Sequence, residues 1–114
     1  MLRVAQLTGS EYEWSHHRKM AEQEGIAAEK IRALERWRDS DAFGEAERAA
    51  LRLADEVHDV AVADETIAEL SGHFTPDEVV ELVMLASMYQ AVARMIQGLG
   101  VEVEEEYAPY RGPP

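Results

Sequence analysis

Apolar residues recur at intervals of three and four along most of this chain, the spacing that puts them on one face of a helix. The stretch Glu45–Val60 shows it best: Ala49, Leu51, Leu53, Ala54 and Val57 share a face, with acids and arginines outside. Asp64–Phe74 repeats the pattern on Ile67 and Leu70, with Asp64 placed as an N-cap. Ala27–Trp37 reads as a short helix with Ile31 and Leu34 inward and Trp37 at its end. A turn-rich loop, Asp39 to Gly44, follows it, and the flanking Trp37 and Phe43 read as core plugs. Nearer the N-terminus, Ser10–Glu24 is helical with Gly25 as its closing residue. Met1–Leu7 reads as the tail of a helix that is ended by Gly9 and whose beginning is expected upstream of Met1.

The last helix departs from this amphipathic plan. Thr75-Pro76-Asp77-Glu78 is the strongest local signal in the chain: an N-cap threonine, a proline at the first helical position and a glutamate at the third. The helix it opens is expected to run to about Gly98 or Gly100, and from Val79 to Leu99 it is apolar on nearly every face. Such a helix calls for cover on all sides, which a chain this short supplies only with a subunit interface. Ser87, Tyr89, Gln90 and Arg94 are its polar exceptions; a buried Arg94 needs an internal acid such as Glu47 or Glu81, or a substrate carboxylate. Val101–Pro114 is acidic and then proline-rich, a loose tail expected to lie on a neighbouring subunit. The pattern thus predicts an all-α bundle of about five helices over residues 1–103, followed by a tail over 104–114.

Composition narrows the function classes. Eleven basic against 23 acidic residues leave a net charge of −12, with no basic patch to offset it, which argues against nucleic acid and anionic membrane as partners. No stretch approaches ~18 uninterrupted apolar residues, and the apolar part of Met1–Ala5 is too short for a signal peptide. A cytoplasmic protein is the default expectation. With no cysteine, disulfides, thiolate metal sites and thiolate nucleophiles are excluded. There is no glycine-rich phosphate loop and no serine nucleophile elbow.

Candidate chemistry concentrates in Thr8-Gly9-Ser10-Glu11-Tyr12-Glu13-Trp14-Ser15-His16-His17. Ser10 and Glu13 have the spacing of a capping box. Ser10, Glu13, Trp14 and His17 fall on one helical stripe, which sets a carboxylate and an imidazole one turn apart beside an aromatic wall. Glu13 and His17 are the candidate acid/base pair, Glu13 being expected to hold the imidazole's proton and raise its pKa. The competing reading makes Ser10 and Glu13 a plain cap, with Trp14, His17 and Ala21 lining a core or a subunit seam. Glu13-x-x-His16 and Asp55-x-x-His58 also have metal-ligand spacing, but in a chain that is 30% charged such matches arise by chance, so neither a metal nor another cofactor is expected. His58 and His73 read as surface or capping residues near helix C-termini.

Gly9-Ser10-x-Tyr12-Glu13-x-x-x-His17, followed by Met20-Ala21 and Gly25, resembles the signature helix of the carboxymuconolactone decarboxylase and alkylhydroperoxidase D family. The likeness extends through Glu47-Arg48-Ala49-Ala50-Leu51 and the Ala93-Arg94 helix. In the peroxidase branch a Cys-x-x-Cys pair opens this helix; here Ser10 and Glu13 stand at the cysteine positions and His17 at the histidine. A glutamate that the branch carries about three turns further upstream would fall before Met1. The resemblance implies the alkylhydroperoxidase D-like helical fold, a homotrimer or homohexamer, and a small organic acid or lactone as substrate. Glu13 and His17 would then be catalytic, and Trp14, Tyr89 and Arg94 substrate-binding, with Arg94 as carboxylate anchor. Despite the resemblance, the absence of cysteine excludes a thiol peroxidase cycle, and the alternative reading is an oligomeric binding module that has lost its chemistry.

Overall fold

The computed structural model describes residues 1–112, and all of its regular elements are helical. Helix α1 (Leu2–Thr8) ends at Gly9, whose φ of 64° is the left-handed conformation that only glycine adopts without steric cost. Gly9 N and Ser10 N donate back to Gln6 O and Ala5 O, so the chain turns a tight corner and α2 (Glu11–Gln23) starts immediately. Gly25, at φ 78°, closes α2 in the same way, with Ile26 N donating to Ala21 O at 2.9 Å. The segment expected as one helix over Ala27–Trp37 is instead α3 (Ala28–Ala33) and a 3₁₀ turn, Leu34–Asp39, broken at Arg36. The break turns Trp37 inward, where it packs with Leu34 and Phe43 as the expected plug.

Helix α4 (Glu45–His58) follows the pattern closely, burying Ala49, Leu53 and Ala54. It stops at Val60, an exposed β-branched residue held at φ 56°. Val60 N and Ala61 N donate to Val57 O and Glu56 O, a helix-end motif in which glycine is the usual residue. Helix α5 (Asp64–Ser71) is capped by Ala63, not by Asp64. The reason lies in α4: the Glu56 carboxylate accepts from Ala63 N at 3.1 Å and from Thr66 Oγ1 at 2.8 Å, doing a cap's work from a neighbouring helix. Helix α6 (Pro76–Leu99) begins with the expected reciprocal box, Glu78 N donating to Thr75 Oγ1 and Thr75 N to Glu78 Oε2.

The interior lies where α6 runs along α4 and α1, with α5 covering one end. Ala49, Leu53, Leu70 and Val79 fill one region, Val4, Ala54 and Ala86 the next, and Ala5, Trp14, Ala21 and Ile31 the space under α2. The small residues at the crossings let α1, α4 and α6 approach closely. Asp55 is the polar tie among these layers. Arg3 Nε donates to its Oδ1 at 2.6 Å, while Trp37 Nε1 and Arg38 Nη1 reach its Oδ2 at 3.2 and 2.7 Å.

One face of α6 has no cover within the chain: Val80, Met84, Met88, Met95 and Leu99 are exposed, Met84 at 65% and Leu99 at 81%. By length and composition α6 is apolar enough to cross a membrane, although Glu81, Gln90 and Arg94 interrupt it and its other faces pack on α1, α4 and α5. The C-terminal segment is not a loose tail over the residues described. A second 3₁₀ turn, Glu105–Tyr110, lies on α2 of its own chain; Pro113 and Pro114 fall outside the described residues. The cause is aromatic and ionic: the His16 ring is stacked between Tyr12 and Tyr107, 4.2 and 3.7 Å between centroids, and Glu104 lies 3.3 Å from His16 Nε2.

Candidate functional site

The corner at Gly9 decides where the α2 side chains point. Because Ser10 N is already bonded to Ala5 O, it leaves nothing for Glu13 to accept, and only half of the capping box forms: Glu13 N donates to Ser10 Oγ at 3.4 Å. The Glu13 carboxylate turns inward instead. The residue is 3% exposed, and neither carboxylate oxygen has a hydrogen-bond partner among the described residues. Burial pushes its pKa up to about 7, against the weaker opposing pull of the Met1 α-amino charge.

One turn on, His17 Nδ1 is likewise buried and unpartnered, and the ring packs edge-on against Tyr89 of α6 at 5.0 Å. Burial pushes His17 down to about 4, with the Met1 α-amino charge and His16 acting in the same direction. The expected coupling is therefore reversed. Desolvation penalises both charged forms, no hydrogen bond joins the two side chains, and the histidine pKa falls where sequence reasoning had it rise. At neutral pH the imidazole is uncharged and the carboxyl group is close to half protonated.

The other expected site residues divide. Trp14 is buried with Ala5, Ala21 and Ile31, its Nε1 without an acceptor, so it acts as core rather than as an open wall. Tyr89 is half-buried against His17. Arg94 is exposed and forms no ion pair among the described residues; Glu47, one of its expected partners, is taken by Lys30 at 2.6 Å. The expected burial of Arg94 and its internal ion pair are therefore not found.

Sequence reasoning missed two features. Gln90 is 4% exposed, with Oε1 3.2 Å from His58 Nδ1 and its Nε2 unpartnered, so His58, in the last turn of α4 as expected, is half-buried and tied to α6, whereas His73 is exposed. The polar Gln90, recurring within an otherwise apolar run, was the available signal. The other feature is a cavity of about 460 Å³ between α1, α2, α3, α4 and α6. His17, Met20, Ile31, Phe43, Leu51 and Leu82 are on its wall, while Glu13, Trp14, Tyr89 and Arg94 are not. Its volume lies in the range of small-molecule sites. No group of three or more metal-ligating side chains occurs among the described residues.

Residues 1–56, which hold α1 to α3 and most of α4, match the model of the Carboxymuconolactone decarboxylase family. The fold is similar to the crystal structure of a protein of unknown function from Agrobacterium tumefaciens, a candidate antioxidant defence protein AhpD. The TM-score is 0.85 at 24% identity, covering 90% of this chain and 73% of that one. No curated protein matches. The sequence match falls on the helices that carry Ser10, Glu13 and His17, and the fold match extends over α6 as well; the chain is similar to the carboxymuconolactone decarboxylase family over its first 56 residues, has an alkylhydroperoxidase D-like fold, and carries no cysteine.

Proposed function

We propose that α2 carries a thiol-free acid/base site, with His17 as proton acceptor and Glu13 as proton donor, acting on a small organic acid or lactone held in the cavity that His17 lines. The observation that carries this reading is the pair of buried, unpartnered ionisable groups one turn apart, with pKa values pushed to about 7 and about 4. Two titratable groups driven in opposite directions by their surroundings are an established way to hold an acid and a base ready at one pH. General acid–base assistance of this kind is worth ~10²–10⁴-fold. Thiol peroxidase chemistry is not proposed, because no residue here can form the sulfenic acid that such a cycle requires. Site-resolved NMR titration tests the reading. A Glu13 midpoint near 4.5 together with a His17 midpoint near 6.5, their ordinary values, would overturn it.

The second reading, an oligomeric module without catalysis, is favoured by the absence of Glu13 from the cavity wall and by the uncovered apolar face of α6. Self-association through that face, as a trimer or a hexamer, is compatible with either reading and is proposed for both.

A further inference from the structure

We infer that the cavity beside His17 binds an uncharged, hydrocarbon-rich molecule and discriminates against carboxylates. This deepens the acid/base reading by naming the substrate class of the same site, and rests on it for the role of His17.

The wall is mainly hydrocarbon, so most of a ligand's surface would meet Met20, Ile31, Leu34, Phe43, Leu51 and Leu82. Its cations decide the charge it accepts. Two basic side chains line it, Arg3 and Lys30, and both are already engaged within the chain. Arg3 Nε donates to Asp55 at 2.6 Å, and Lys30 Nζ to both Glu47 oxygens at 2.6 and 2.9 Å. Glu24 adds a wall carboxylate with no cationic partner among the described residues. An entering carboxylate would lose water and find no free basic side chain, only the Met1 α-amino group, which burial already pushes toward its uncharged form; an ester or a lactone of the same skeleton does not carry that desolvation cost. Arg94, the residue that could have reversed this, is outside the cavity. The neutral polar side chain left for a ligand to meet is the His17 imidazole, held uncharged by its burial.

The test uses δ-decalactone and 5-hydroxydecanoate, its ring-opened carboxylate, titrated separately into the whole protein by calorimetry at neutral pH. The lactone should bind at least about tenfold more tightly than the carboxylate. Ala50→Trp, which fills the cavity from α4, should abolish lactone binding. If that variant does not fold, Leu85→Trp at the rim serves the same purpose. Equal or tighter binding of the carboxylate, no binding of either, or lactone binding unaffected by the filling substitution would each overturn the inference. Binding that disappears as protein concentration rises and the chain associates would give the cavity to a second copy, and would also overturn it. Selective lactone binding with ordinary NMR midpoints for Glu13 and His17 would remove the acid/base reading and leave the cavity's specificity standing.

Discussion

Glu13 and His17 should contribute to stability with opposite dependence on pH, and removing either should expose the other. For Glu13 the folded-state pKa is raised, from 4.5 to about 7. The native state then holds a proton that the unfolded chain has released, so stability falls as pH rises through that window. For His17 the folded-state pKa is lowered, from 6.5 to about 4, so the unfolded chain is the better proton binder and stability rises over that window. Each gap corresponds to about 3 kcal/mol, and solvent screening at a partly open site brings the expectation to about 1–3 kcal/mol. Where the windows overlap the two slopes offset one another, and the wild type should be nearly flat in this respect. The assay is urea unfolding of wild type, Glu13→Gln and His17→Gln from acid to neutral pH, read as the variant's stability minus that of the wild type so that other groups cancel. The Glu13→Gln difference should increase with pH by about 1–3 kcal/mol, and the His17→Gln difference should decrease by a similar amount. Two differences independent of pH would refute the buried, uncoupled placement of the pair.

Val60→Gly should raise stability by about 0.5–1 kcal/mol in thermal or urea unfolding, because glycine removes the steric cost of a β-branched residue at φ 56° but widens the unfolded ensemble. Asp55→Asn should lower it by about 3 kcal/mol in the same assays, since Arg3, Arg38 and Trp37 all converge on that carboxylate. Light scattering at micromolar concentration should give an oligomer that Met88→Glu, on the exposed face of α6, shifts toward monomer; a stable 12.8 kDa wild-type monomer would refute self-association.

The helices were legible wherever the chemistry is local. Thr75 to Glu78 form the expected box, and the spacing of Ala49, Leu53 and Ala54 gave the buried face of α4. What was not legible depends on groups distant in sequence. Asp64 fails as a cap because Glu56 serves α5 from another helix. Half of the Ser10–Glu13 box is missing because Ala5 O has taken the Ser10 amide, and this is what releases the Glu13 carboxylate into the interior. The inward stripe of Ser10, Glu13, Trp14 and His17 could be read from periodicity, but the direction of the His17 shift could not. That depends on how dry the surroundings are, which spacing does not encode. Arg94 was misplaced for a related reason, since an apolar sequence context was taken as burial and α6 leaves that side open.

The stacking of Tyr107 on His16 bears on how the protein comes to be made. Tyr12 and Glu104, joined at 3.2 Å, are 92 residues apart. At the ordinary ~5–20 residues per second of synthesis, the outer side of α2 waits roughly 5–20 s for its cover after it has been translated. During that interval the histidine that ends up between two tyrosine rings is open to whatever binds nascent chains. The outer side of α2 is therefore enclosed only after the chain has been made as far as Glu104 and Tyr107, long after α2 itself.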